Sequence, residues 1–505
     1  MNLYQILETN AKTSPGKTAL VFGKERISYR TLLERVNRLS AGLTELGLRK
    51  GDRLCACMPN RPEVVYTFFA AMKLGLIYVG LNVMLKKAEL DYILDDCRPQ
   101  AAVVFSPLLP VMAETGLARS GRMQLIRADA GTAVGELSVR LLIDSQSEKL
   151  AETVDVSPAD DAMIGYTSGT TGYPKGAVHT HRSILGCLEE VAEHIALTDR
   201  DVIAVPLPLF QLSSFLVHVG MPVYRGCTIV LMDKFEVSTF SRSLSEFKVT
   251  VFALVPAIMQ MLVDAAKTEK IDFSGVRVAL TAGGMLPPNL RQEFESRLGS
   301  PVFNGYGSTE TGLFVSLSSI AEPARRTSAG RVLPHIRIRL VKEDGAEASV
   351  GEAGEILIAG ERKFVRYWNN DEATGKAIRD GWYASGDIGC FDEEGHLHIV
   401  DRKMDMIIRG GFNIYPAELE RVLAQDRRIK QIVVIGVPHH RLGEVPKAYV
   451  VLERGERMGA EELIAMSRAR LANYKALAAV EFVEEDFLPR NALGKVMKKE
   501  LRKIA

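Results

Sequence analysis

The sequence predicts an α/β protein, with a large N-terminal domain of βαβ-layered subdomains, a small β-rich barrel-like unit, and a small α+β domain at the C-terminus. Three observations carry this prediction. The chain has 505 residues, more than one hydrophobic core can serve, because cores stop growing at roughly 250–300 residues and chains then divide. Strand-type runs alternate with helical periodicity through most of its length, the mark of a parallel sheet covered by helices. Past Gly330 the texture shifts to short strands with glycine turns, and past Arg402 to a compact α+β pattern.

Taken in order, Ala19 to Phe22 and Arg26 to Ile27 flank Gly23-Lys24 as a short hairpin. Ser28 suits an N-cap. Leu32, Val36, Leu39, Leu43 and Leu46 follow at spacings of three and four, and Gly47 ends the helix. A strand at Arg53 to Met58, a helix opened by Pro62 and a strand at Ile77 to Val79 continue the alternation, which recurs after Asp201 and from Val249 to Leu280. Beyond Gly330 the expected strands are Ile336 to Val341, Glu355 to Ala359, Gly386 to Phe391 and His396 to Val400. The last segment predicts a helix at Pro416 to Leu423 and strands at Gln431 to Val437 and Ala448 to Leu452. The boundary falls at Lys403–Met404, giving domains of residues 1–403 and 404–505.

Hydrophobic residues make up 47% and charged residues 25%, as in an ordinary globular protein. A formal net charge of +1 leaves no footprint for nucleic acid or an anionic membrane. The six cysteines show neither C-x-x-C spacing nor histidine pairs at zinc-site spacing, so they read as reduced thiols of an intracellular protein. Met1 to Gln5 lacks the basic segment and apolar core of a secretory leader. The apolar stretches Glu63 to Leu85 and Val249 to Ala266 are broken by Lys73 and by Pro256 and Gln260, so they read as buried elements, not membrane spans. The expected location is the cytoplasm.

The strongest local signal is Tyr166-Thr167-Ser168-Gly169-Thr170-Thr171-Gly172-Tyr173-Pro174-Lys175-Gly176. Its glycines, short hydroxyls and closing lysine supply free N–H groups, small donors and a cation, which is what wrapping a polyphosphate requires. The Walker A pattern does not fit, because Pro174 precedes Lys175 and Gly176 follows it. Four further segments stand out downstream: Tyr306-Gly307-Ser308-Thr309-Glu310, Tyr383-Ala384-Ser385-Gly386-Asp387, Asp401-Arg402 through Gly410-Gly411 to Pro416, and Pro489 to Lys495.

In that order the five segments resemble the signatures of the adenylate-forming superfamily, which includes acyl-CoA synthetases, amino-acid adenylation domains and luciferases. The resemblance implies an ATP-dependent acid–thiol ligase that makes an acyl-AMP, releases pyrophosphate and passes the acyl group to coenzyme A. By the same resemblance Thr167 to Gly172 and Lys175 wrap the phosphates, Thr309 contacts phosphate, and Glu310 holds Mg²⁺. The ring of Tyr306 packs on adenine, beside Gly307 and the turn Ala282-Gly283-Gly284. Asp387 takes the ribose hydroxyls, with Arg402 close by. Lys495 neutralises charge on the α-phosphate in the first half-reaction only. The C-terminal domain is then mobile: it turns about a hinge, withdraws Lys495 and presents Arg409-Gly410-Gly411 to the pantetheine arm. Glu418 and Glu420 read as a solvated helix face.

Two departures from the pattern matter. The hinge position, usually Asp or Lys, holds Met404, which is expected to bias the domain equilibrium. Gln211, in Phe210-Gln211-Leu212-Ser213, stands where many acyl- and aryl-CoA ligases have His and amino-acid adenylation domains have Asp. Gln offers no charge for an α-ammonium, so the expected substrate has no α-amino group. The acyl pocket implied by aligned positions comprises Gln211, Ser214, Phe215, Gly283, Asn304 and Gly305. It lacks a cation for a second carboxylate, which leaves fatty, alicyclic and aromatic acids. A carrier-protein thiol as acceptor and a catalytically silent ATP-binding module are the alternatives. Homodimer formation is left open.

Overall fold

The computed structural model describes residues 1–129, 137–146, 154–167, 174–284, 286–299, 301–319, 328–409, 412–491 and 494–505. Two mostly parallel sheets form the body. In the first, of nine strands, parallel pairing joins Thr18–Phe22, Thr228–Leu231, Val202–Val205, Val251–Leu254, Val278–Thr281 and Val302–Gly307, with antiparallel strands at both edges. In the second, of seven strands, parallel pairing runs from Gln124–Arg127 through Ala101–Val104, Arg53–Cys57 and Ile77–Gly80 to Asp161–Thr167. Lys175–Thr180 and Arg366–Tyr367 then close it antiparallel. Strands covered on both faces carry unbroken apolar runs, and Ala101–Val104 and Val278–Thr281 are buried at every residue.

The helix Tyr29–Glu45 starts where Ser28 caps it, its side chain accepting the Thr31 N–H at 3.1 Å. Leu32, Val36, Leu39 and Leu43 form its buried stripe, each worth about 1.5–3 kcal/mol on full burial. Gly47, at φ 91°, takes the chain out. Helix Pro62–Leu74 is buried nearly all round, which explains its membrane-like composition. No described helix is long and apolar enough to cross a membrane. All six cysteines are free; five are buried and Cys390 half-buried.

The β-rich unit is a five-stranded sheet in which Trp382–Phe391 pairs with both Gly354–Ala359 and Leu397–Arg402. The register of that hairpin sets Asp387 opposite Arg402. From Ile407 onward a separate sheet forms, with its own core of Ile407, Ile414, Leu419, Leu423, Val434, Ala448 and Val450. Helix Pro416–Leu423 packs on it. The solvated face expected for that helix is not what forms. Glu418 takes the Lys475 ammonium at 2.7 Å; Glu420 accepts the Val434 N–H at 2.7 Å and pairs with Lys498 at 2.8 Å.

Three imidazoles, His179, His181 and His218, are buried in the larger body, and burial pushes each down to about 4. Unfolded, an imidazole titrates near 6.5, so between about 6.5 and 4 the unfolded chain binds more protons than the folded one and stability falls as pH falls. The urea midpoint is expected to drop through this window. His181→Gln, which keeps an acceptor for the Leu3 N–H, is expected to flatten the drop.

Candidate active site

Parallel sheets present ligands at the carboxyl ends of their strands, and the motif residues converge there. Val278–Thr281 runs out into Ala282-Gly283-Gly284. Gly283 has φ +78°, and a Cβ there would find only Val255 at 3.7 Å, so the turn leaves space above it. The neighbouring strand Val302–Gly307 carries Asn304 in register with Thr281. Asn304 donates from Nδ2 to the Ser328 carbonyl at 2.9 Å, which fixes its amide. At Gly305 a Cβ would crowd Phe314 at 2.6 Å, and at Gly307 it would stand 2.2 Å from the Leu313 carbonyl oxygen.

The turn Thr309–Thr311 holds Glu310, which is 8% exposed. One of its oxygens accepts the Tyr367 hydroxyl at 2.9 Å. Lys175, in register with Thr167 across the base of the phosphate loop, places its ammonium 5.4 Å from the centre of the Tyr367 ring. Behind them the neutral ring of His179 lies 2.8 Å from the Thr309 carbonyl. Ser168, Gly169, Thr170, Thr171 and Gly172, together with Gly410 and Gly411, lie outside the described residues.

Across the cleft, Asp387 is 8% exposed. Its Oδ2 accepts the Tyr306 hydroxyl at 2.7 Å, and its Oδ1 lies 3.3 Å from Arg402 Nε. Burial, then the Asp387 charge, holds the Tyr306 phenol well above its ordinary range, so it stays a donor. Lys495 comes to the same place from the tail. It is exposed, with protein crowded around its ammonium. That crowding, then the Arg402 charge, lowers its pKa below the usual lysine range, while Asp387 and Asp405 pull the other way. The Lys495 backbone N–H is held by Asn491 at 3.0 Å, and its ammonium has no partner among the described residues. Nearby Met404 is 41% exposed.

Half-buried Gln211 opens the turn Leu212–Phe215, its carbonyl accepting the Phe215 N–H at 2.8 Å. Ser214 faces His218 Nδ1, with its hydroxyl 3.3 Å away. Phe215 is fully buried and stacks on Phe68 at 4.4 Å and Tyr78 at 5.8 Å, so it backs the cleft from within the core. The next residues, Leu216–Gly220, form a π-helical turn. It sets His218 Nε2 at 3.3 Å from the Ala253 carbonyl. Sequence reasoning missed Tyr367, His179 and His218. Their partners are remote in the chain, and a π turn leaves the same apolar pattern as an α-helix.

The motif residues that the structure describes thus meet around Glu310 and Asp387. Residues 7–368 match the AMP-binding enzyme family, and residues 418–495 match the AMP-binding enzyme C-terminal domain. The chain belongs to this family, within its acyl-CoA synthetase branch. It is 33% identical to indoleacetate–CoA ligase of Aromatoleum aromaticum over all of this chain and 98% of that one. It is 36% identical to feruloyl-CoA synthase of an Amycolatopsis species, over 98% and 97% of the two chains. Among solved structures, ATP-bound MatB from Rhodopseudomonas palustris superposes with a TM-score of 0.92 at 28% identity, covering 100% and 99%. The anthranilate CoA ligase AuaEII in complex with anthranoyl-AMP gives 0.91 at 27% identity, covering 100% and 97%.

The closeness of the Leu313 carbonyl to Gly307 yields a direct test. Gly307→Ala forces backbone apart, so the variant is expected to lose about 1–3 kcal/mol of stability in urea unfolding, whereas Gly283→Ala is strained only through its positive φ and loses less.

Proposed function

We propose that this chain joins a carboxylic acid to coenzyme A, with cleavage of ATP to AMP and pyrophosphate, and that its residues divide the work as follows. Asp387 and Tyr306 hold the ribose and adenine. Lys175 and the loop before it take the β- and γ-phosphates. Lys495 neutralises the charge that builds on the α-phosphate as the acid's carboxylate attacks phosphorus and the bond to pyrophosphate breaks. In the second step a thiol attacks the acyl carbon, the C–S bond forms and AMP leaves. The observation that supports this reading is the position of Lys495, whose ammonium has no ion-pair partner among the described residues and lies within reach of the Asp387 and Arg402 charges.

The donor set at Glu310 fits a hard dication. Its carboxylate is buried, only one oxygen is taken, by Tyr367, and no described lysine or arginine pairs with it. Mg²⁺ keeps most of its waters and takes one or two carboxylates plus phosphate oxygens. When bound, it would supply charge neutralisation of the polyphosphate, with Glu310 as its protein ligand.

We place the domain boundary at Lys403–Met404. Ties across that point include the hydrogen bonds from the Ala417 N–H to Asp401 at 2.8 Å and from Asn413 to Glu343 at 3.3 Å. Polar ties of this kind suit an element that must move. The acid is proposed to lie by Gln211, Ser214, Gly283, Asn304 and Gly305, where no described cation waits for a second carboxylate or an anionic substituent. Substrates without an α-amino group follow from the neutral Gln211.

Pyrophosphate release over acids of graded size, with and without coenzyme A, tests this reading. Release that depends on an acid, with acyl-CoA as product, is expected. Acyl-AMP that passes only to a carrier-protein thiol would replace coenzyme A as acceptor, and no release with any acid would refute the reading. Lys495→Ala is expected to lose adenylation by roughly 10²–10³-fold or more, yet still convert pre-made acyl-AMP to thioester. In the wild type the lowered Lys495 pKa brings an alkaline fall in adenylation below the usual lysine range, and Lys495→Arg is expected to move that fall upward.

A further inference from the structure

The two stems of the phosphate loop are fastened by a clasp built from residues remote in the chain. Tyr166 lies near the end of the strand Asp161–Thr167, and its hydroxyl donates to Asp96 Oδ2 at 2.5 Å. Asp96 is the penultimate residue of the helix Lys87–Cys97. Its carbonyl oxygen accepts Trp368 Nε1 at 3.3 Å and Asn369 Nδ2 at 2.9 Å. Trp368 donates its own N–H to the Gly176 carbonyl at 2.7 Å. Tyr166 and Gly176 are register partners across the loop base, and a Cβ on Gly176 would stand 3.1 Å from the Tyr166 ring. One stem therefore reaches Asp96 through Tyr166, and the other through Trp368.

The clasp is stiffened from behind. Arg53 and Arg366 lie over the Trp368 ring, 5.7 and 5.8 Å from its centre. Arg53 also donates at 2.7 Å to the Cys97 and Arg98 carbonyls that end the Asp96 helix. Burial holds the Tyr166 phenol in its neutral, donating form, so its bond to the carboxylate is charge-assisted.

We infer that Asp96 is a positioning residue for adenylation: its carboxylate holds Tyr166 on one stem of the proposed phosphate loop, against the helix end whose main-chain carbonyl ties Trp368 and so the other stem. This rests on the adenylating role proposed for the cleft. Asp96 touches no reacting atom. It holds the two described stems relative to one another before ATP arrives, and binding groups positioned in advance bind more tightly.

The test measures ATP–pyrophosphate exchange, and thioester formation from pre-made acyl-AMP, for the wild type, Asp96→Asn, Tyr166→Phe and the exposed neighbour variant Asp95→Asn. Absence of exchange in the wild type would sink the adenylating role itself, whatever the variants do. Given wild-type exchange, Asp96→Asn and Tyr166→Phe are each expected to raise KM for ATP about tenfold, the worth of a hydrogen bond to a charged group. Thioester formation should hold, the double variant should add little beyond either single one, and Asp95→Asn should match the wild type. In a Trp382→Phe background Trp368 is the remaining tryptophan, and its emission change should move to higher ATP by the same factor. Lower thermal stability with KM for ATP unchanged, or equal loss of both half-reactions, would overturn the inference. If Asp96→Asn does not fold, Tyr166→Phe, which removes one hydroxyl, decides by the same readouts.

Discussion

The Asp387 carboxylate is the constraint on which the cleft depends. A carboxylate this buried is costly unless donors surround it, and here Tyr306 and Arg402 each supply one. The pairing sets three things together. It fixes the attitude of the Tyr306 ring, holds the end of the strand Leu397–Arg402, and leaves a negative charge facing Lys495. Without it Lys495 would face the Arg402 guanidinium with less negative charge beside it, Asp405 remaining.

Around that pair the sheets act as a rigid frame from which loops project. Tyr367 and His179 hold Glu310 and the backbone beside it. Both work as neutral groups, because burial raises the phenol and lowers the imidazole. The charge in this part of the cleft is thereby concentrated on Glu310 and Lys175, the residues able to meet a dication and a polyphosphate.

Local pattern carried much of the fold. The helix Pro416–Leu423 forms over the span read from its proline start and apolar spacing, and Ser28 caps its helix through the expected side-chain bond. Strand ends differ by a few residues, as where Gly386 to Phe391 begins instead at Trp382, since pairing across a hairpin extends beyond the apolar run. Motif order pointed to the residues that meet at Asp387. Their supports were not legible: Asp96 with Tyr166, Tyr367 with Glu310, and His218 with Ala253 join through tertiary contact alone. Glu418 and Glu420 looked solvated because Lys475 and Lys498, which neutralise them, follow far downstream.

The strand register that sets Asp387 opposite Arg402 has a thermodynamic corollary. Arg402 is the last residue of its strand, directly before the short turn Lys403–Asp405. On the proposed reading, a nucleotide that engages Asp387 Oδ1 would compete with Arg402 Nε for that oxygen, at the residue directly before that turn. Linkage makes the effect reciprocal: whatever repositions the tail changes nucleotide affinity by the same factor. On that reading occupancy and posture would be one equilibrium, seen from two ends of a single hairpin.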